Sequence, residues 1–344
     1  MRELLRQVSR SFYLTLRILP GPIRPQIGLA YLLARATDTI VDTRLVPVRM
    51  RISALREMRL AIQEAADGRH PRIPDLGELA DAQAATAGEG SEGERKLLET
   101  IGLPLAILRH LDGADRALIH EVLEIITRGQ ELDLVRFATA CLEQVVALET
   151  DTELEEYTYY VAGCVGEFWT KMCLAHLLRG EEVEELSLLA DGIRFGKGLQ
   201  LVNILRDLPR DLRQGRCYIP AGRLAELGLL PKDLLDPETI ERFRPLYHLY
   251  LQEAAEQLTA GWAYTNALPP TEARIRLACA WPVLIGARTL SLLRTRNVLD
   301  DRQRIKVPRS GVRAIIFHSL LAYPFPSAWS RLFRQSFPNS GKSG

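Results

Sequence analysis

Apolar residues recur at three- and four-residue spacing along most of this chain, in segments near 24–43, 49–66, 95–136, 143–178, 182–208, 237–266, 271–300 and 308–322. That repeat is the signature of helices with one buried face. Alternating β-branched runs bounded by turn dipeptides are nearly absent, so an α/β sheet fits poorly and an all-α fold is expected. Residues 67–94 interrupt the pattern with clustered glycine, proline and acidic residues, which predicts a surface loop. A domain boundary there would leave too few helices for a core, so the expectation is one domain over 1–335 with a flexible tail at 336–344. No internal repeat is visible.

Within that loop Gly88, Gly90 and Gly93 match the spacing of a dinucleotide-binding turn. The turn works only between a strand and a helix, and Glu89, Glu92 and Glu94 would repel a pyrophosphate, so the match is read as accidental.

Two helical segments carry polar groups where apolar ones are expected. In the first, Asp38 and Asp42 lie four residues apart, on the same face as Arg35 and Tyr31. Their neighbours Leu32, Leu33, Ile40 and Val41 are apolar, which predicts a buried helix and makes an unpaired carboxylate pair costly. In the second, Gln200, Asn203, Asp207 and Asp211 form one stripe among Leu201, Val202, Ile204 and Leu205. Such oxygen ligands suit magnesium, which binds through one or two carboxylates plus substrate phosphate. The histidines show no spacing that suits zinc. Pro209 lies inside the second stripe and predicts a kink or helix end near Leu208.

The near balance of 44 basic and 43 acidic side chains gives no general attraction to nucleic acid, so any phosphate must be held locally. The five cysteines are scattered and read as reduced core residues. Arg17 interrupts the apolar run near the N-terminus, and Arg313, His318, Pro324 and Pro326 interrupt the stretch 312–329. A cytoplasmic protein without a signal peptide or spanning helix is expected, with at most an amphipathic contact to a membrane surface.

Four blocks, VSRSF at 8–12, YLLARATDTIVD at 31–42, YTYYVAGCVG at 157–166 and QLVNILRDLPRD at 200–211, together resemble the squalene and phytoene synthase family over roughly residues 6–320. The resemblance implies a single-domain isoprenoid-synthase-type helical bundle around a central apolar cavity. It implies that Asp38, Asp42, Asp207 and Asp211 bind magnesium and diphosphate with Asn203, and that Tyr157 handles a carbocation. Ser9, Arg10, Ser11, Tyr31, Arg35, Gln200, Arg206 and Arg216 would then contact diphosphate. Gly163 and Gly166 mark a close approach by a helix or an isoprenoid. Thr43 and Arg210 stand where many members have acids, leaving fewer carboxylates for the metals.

The implied reaction joins two farnesyl diphosphates through presqualene diphosphate. The blocks 278–293 and 305–311 resemble squalene synthases more than phytoene synthases, and Lys306 and Arg309 are candidates for NADPH phosphates. Dehydrosqualene, phytoene or hydroxysqualene synthesis without NADPH is the alternative, and a non-catalytic assembly factor is an alternative of another class.

Overall fold

The computed structural model describes residues 2–9, 13–85, 91–181, 183–303 and 305–337. The chain folds into two compact units, Met1–Ala138 with Phe168–Gly180, and Thr139–Glu167 with Glu181–Gly344. Helices dominate both, and the strands among the described residues are two two-residue segments.

The first unit contains α1 (Arg2–Val8), α2 (Tyr13–Ile18), α3 (Arg24–Asp42), α4 (Val48–Ala66), α5 (Gly77–Ala85), α6 (Ser91–Glu99), α7 (Gly102–Arg109) and α8 (Gly113–Arg136). α3 is its central helix, with Leu29, Leu32, Leu33 and Ile40 fully buried. Charged groups fix its surroundings. Gln26 of α3 donates to the buried Asp115 of α8 at 2.9 Å, and His176 meets the same carboxylate at 2.6 Å. Arg59 of α4 reaches Glu131 of α8 at 2.8 Å.

The second unit opens with β1 (Val146–Ala147), then α9 (Asp151–Thr158), a π-helical turn (Tyr159–Gly163), α10 (Cys164–His176), whose C-terminal part belongs to the first unit, and α11 (Glu185–Arg213). It continues through β2 (Arg216–Cys217), α12 (Ala221–Ala225), two 3₁₀ turns at Pro231–Leu235 and Pro237–Thr239, α13 (Ile240–Ala267), α14 (Ala273–Thr295), α15 (Arg309–Ala322) and α16 (Pro326–Ser336). β1 pairs with β2 in parallel, Val146 against Arg216. Gly215, with φ of +76°, ends α11 and turns the chain into β2. α14 is long and apolar enough to cross a membrane by composition, and 72% of its most apolar window is buried within the protein.

Several expectations change. The loop expected at 67–94 is helical at Gly77–Ala85 and again from Ser91. Its alanine-rich and Glu/Lys/Leu-rich stretches have high helix propensity, which outweighs the glycines around them. The segment 95–136 is three helices, because Gly102, Pro104 and the Asp112 cap, which accepts from the Ala114 N–H at 2.9 Å, restart the chain twice. The helix expected from 143 begins at Asp151, where the Thr150 hydroxyl caps the Glu153 N–H. Cys141 is exposed, whereas the other four cysteines are buried and free as expected. The expected tail lies mostly outside the described residues.

α11 neither ends nor breaks its register at Pro209 but runs on to Arg213. Proline lacks the N–H that would bond the Leu205 carbonyl four residues earlier. The buried Tyr247 hydroxyl of α13 donates to that carbonyl at 3.1 Å and replaces the missing bond. Tyr247→Phe is therefore expected to lower stability by about 1–3 kcal/mol in chemical denaturation. In a Pro209→Ala background, where the backbone supplies the donor, the same change is expected to cost clearly less.

Candidate functional site

In the first unit, Asp38 and Asp42 stand one turn apart on α3, as the spacing predicts. Asp38 is half-buried but Asp42 is exposed, so only half of the expected burial of the pair is found. Asp42 is the last residue of α3, where the helix gives way to a turn, and that position lifts it out of the packed face. Burial first, then the Asp42 carboxylate, push the Asp38 carboxyl up to about 7, against the opposing pull of Arg35 and a hydrogen bond from Gln130. Gln130 of α8 donates its Nε2 to Asp38 Oδ1 at 2.6 Å. Arg35, also half-buried, forms an ion pair with Glu94 of α6.

Two polar atoms flanking Asp38, Arg35 Nε and Gln130 Oε1, are buried without a hydrogen-bond partner. Orphaned buried atoms cost free energy and mark places where a ligand finds ready donors and acceptors. Tyr31 donates from its hydroxyl to the Val8 carbonyl at 3.3 Å, and the buried Ser9 hydroxyl bonds the Leu5 carbonyl. Arg10 and Ser11 lie outside the described residues.

Glu94 and Gln130 were missed by the sequence reading. Gln130 had a visible signal, since it follows Ile119, Leu123 and Ile126 in the apolar stripe of α8, where an amide is out of place. Glu94 has none, because nothing local in the segment 67–94 points to a partner 59 positions away.

In the second unit, Gln200, Asn203, Asp207 and Asp211 share one face of α11 and are all half-buried, as expected from their steps. Arg206 holds the Asp207 carboxylate with two bonds, Nε to Oδ1 at 2.8 Å and Nη2 to Oδ2 at 2.6 Å. The neighbouring residue thus serves as counter-ion to this carboxylate. Arg216 lies in β2, just beyond α11. Tyr157 stacks on the buried Tyr218 at a centroid distance of 4.6 Å and 26°.

The glycines serve helix packing. A Cβ on Gly196 would lie 2.1 Å from the Ala162 carbonyl oxygen, and one on Gly166 would lie 1.9 Å from that of Gly192. Bare backbone on both sides lets α11 press against the π turn and the start of α10. Lys306 and Arg309 are exposed, Arg309 at the first position of α15. A separate cavity of about 160 Å³ in this unit is lined by Asp151, Glu155, Lys197, Tyr250 and Glu253 among others, and none of the sequence-predicted site residues borders it.

Among the described residues no three acidic, histidine or cysteine side chains are gathered as a metal set. Each unit offers a carboxylate pair instead, which suits magnesium, an ion that keeps several waters and shares substrate phosphates. The raised Asp38 carboxyl fits a group whose negative charge needs a cation. In the folded chain Asp38 keeps a proton between its ordinary value of 3.8 and about 7, while the unfolded chain releases it. Stability contributed by this group therefore declines as pH rises through that window. Asp38→Asn is expected to flatten the decline and, without added cations above neutral pH, to melt at or above the wild-type temperature. An unchanged slope in the variant would contradict this account.

The squalene/phytoene synthase family profile matches residues 5–311. A bifunctional lycopene cyclase/phytoene synthase of Arthroderma gypseum is 31% identical over 73% of this chain and 39% of its own length. A phytoene synthase of Arthrospira platensis is 28% identical over 92% of this chain and 86% of its own, and a squalene synthase of Schizosaccharomyces pombe is 23% identical over 92% and 64%. The chain spans 39% to 45% of the length of four such relatives. Among solved structures, TcSQS in complex with the ligand E5700 superposes with a TM-score of 0.75 at 22% identity, covering 99% of this chain and 92% of the other. A dehydrosqualene synthase does so at 0.63 and 18%, covering 94% of each. These structural likenesses establish the all-α isoprenoid-synthase-type fold, and the profile match over most of its length establishes that the chain belongs to the squalene/phytoene synthase family.

Proposed function

We propose that this protein condenses two farnesyl diphosphates head to head, through presqualene diphosphate, to squalene, with NADPH reducing the final cation. The observation that carries the reading is the environment of Asp38. A half-buried carboxylate, an exposed one a turn away and two orphaned polar atoms on Arg35 and Gln130 make a site that is electrostatically incomplete without a cation and an anion.

Bound magnesium would stabilise the negative charge that develops as diphosphate departs from the allylic carbon. Asp38 and Asp42 would hold it in one unit, and Asn203, Asp207 and Asp211 in the other. Arg35 offers its buried Nε to a diphosphate oxygen while Glu94 keeps the guanidinium in place. Arg206 is paired with a carboxylate that a metal would claim, which would release it toward the substrate's phosphates. Ser9, Arg10, Ser11, Tyr31, Gln200 and Arg216 are the further diphosphate contacts of this reading. The Tyr157 ring, braced by Tyr218, presents an electron-rich face suited to a passing carbocation. A nicotinamide cofactor would supply hydride, and Lys306 and Arg309 are the exposed cations available to its phosphates.

A second reading, quenching by proton loss as in phytoene or dehydrosqualene synthesis, is favoured by the phytoene synthases among the relatives. Incubation with farnesyl or geranylgeranyl diphosphate and magnesium, with and without NADPH, followed by mass spectrometry of the hydrocarbons, separates the two. The expected outcome is squalene from farnesyl diphosphate when NADPH is present. Phytoene from geranylgeranyl diphosphate regardless of NADPH would establish the second reading. Single alanine variants of Asp38, Asp42, Asp207 and Asp211 are expected to lower turnover by at least about a hundredfold. Absence of diphosphate release from either substrate would contradict an enzymatic role.

A further inference from the structure

We propose that the outer face of α15 and the turn after it form a docking surface for an anionic lipid bilayer. Four large apolar side chains stand out from the protein here: Phe317 is 59% exposed, Leu320 48%, Leu321 56% and Phe325 61%. Phe317, Leu320 and Leu321 follow the three- and four-residue steps of one helical face, with Arg313 one turn before Phe317 on the same side. The helix cannot roll to hide them. Its opposite face is fixed by the buried Ser319, whose hydroxyl accepts from Trp281 Nε1 of α14 at 2.9 Å, and by the buried Ala322.

Charge identifies the occupant. Residues 302–344 contain eight arginines and lysines and no aspartate or glutamate, although the whole chain carries a net charge of only +1. Among the described residues, exposed Arg309 and Arg313 stand on α15 itself and exposed Arg331 and Arg334 on α16, so the helix that carries the apolar face and the one after it are basic and bear no acid. A second copy of the chain would present the same basic surface and repel it across a symmetric contact. An anionic bilayer complements both features, taking the aromatic and leucine side chains into the acyl boundary while the arginines reach the headgroup phosphates. A surface contact of this kind does not require the helix to span. The inference is independent of which product the enzyme makes.

Flotation of the full chain with vesicles tests it. Wild-type protein is expected to float with vesicles of equal parts phosphatidylcholine and phosphatidylglycerol, and at least about tenfold less with phosphatidylcholine alone. Arg313→Glu is expected to weaken binding to the mixed vesicles at least about fivefold, and Phe317→Ser with Leu321→Ser at least about tenfold. Both changes are at exposed positions, and the unfolding midpoint should stay within a few degrees of wild type. Hydrogen exchange on the wild-type chain gives a reading that needs no variant: amides over 309–325 should slow on mixed vesicles. Equal binding to the neutral vesicles would overturn the proposal, as would variants that bind like wild type. A dimer in solution that the serine variant dissociates, with no flotation, would assign the face to a second copy instead.

Discussion

Two carboxylates one helical turn apart, set beside an apolar core, repel each other and must be neutralised. Much of this chain's local structure follows from that constraint. In the first unit the answer is a proton: burial and Asp42 raise the Asp38 carboxyl to about 7, and Gln130 reaches in from α8 to share the load. In the second the answer is a cation from the next residue, with Arg206 clasping Asp207. Both are weak substitutes for a divalent ion. A proton at near-neutral pH is easily displaced, and an arginine paired with a half-buried carboxylate can exchange it for another anion.

Carboxylates can present a ligand usefully only if the helix beneath them is fixed in place. α11 is fixed by close backbone contact as well as by buried side chains such as Leu205, Leu208 and Leu212. Gly166 and Gly196 let the backbones of α11, the π turn and α10 meet, and Tyr247 repairs the hydrogen bond removed by Pro209, two residues before Asp211. The stripe from Gln200 to Asp211 thereby remains on one continuous helix of 29 residues. α3 is held by complete burial of its leucines and by the hydrogen bond from Gln26 to the buried Asp115.

The all-α fold and both carboxylate helices were legible in the sequence, because helical periodicity is strong in α3 and α11 and the acids fall on one face of each. Tertiary contacts were not. Glu94 pairs with Arg35 across 59 positions and Gln130 meets Asp38 across 92, and no local pattern encodes such separations. Glycines misled the reading at 67–94, where alanine and leucine decide in favour of helix. The helix end expected near Pro209 does not occur, since the tyrosine that compensates the proline lies on another helix. The exposure of Asp42 reflects its place as the last residue of α3, where the packed face ends. Lys306 and Arg309 are found exposed, beside a basic and apolar face whose character emerges only when the inner side of α15 is seen to be occupied.

On the proposed reading each aspartate pair binds magnesium and the diphosphate of a prenyl substrate. Isothermal titration with a farnesyl thiolodiphosphate, which resists ionisation, tests it without relying on turnover. Binding to the wild-type chain should require magnesium, and the Asp38→Ala/Asp42→Ala and Asp207→Ala/Asp211→Ala variants should each weaken it by at least about tenfold while remaining folded. Magnesium-independent binding, or undiminished affinity in both double variants, would contradict the account.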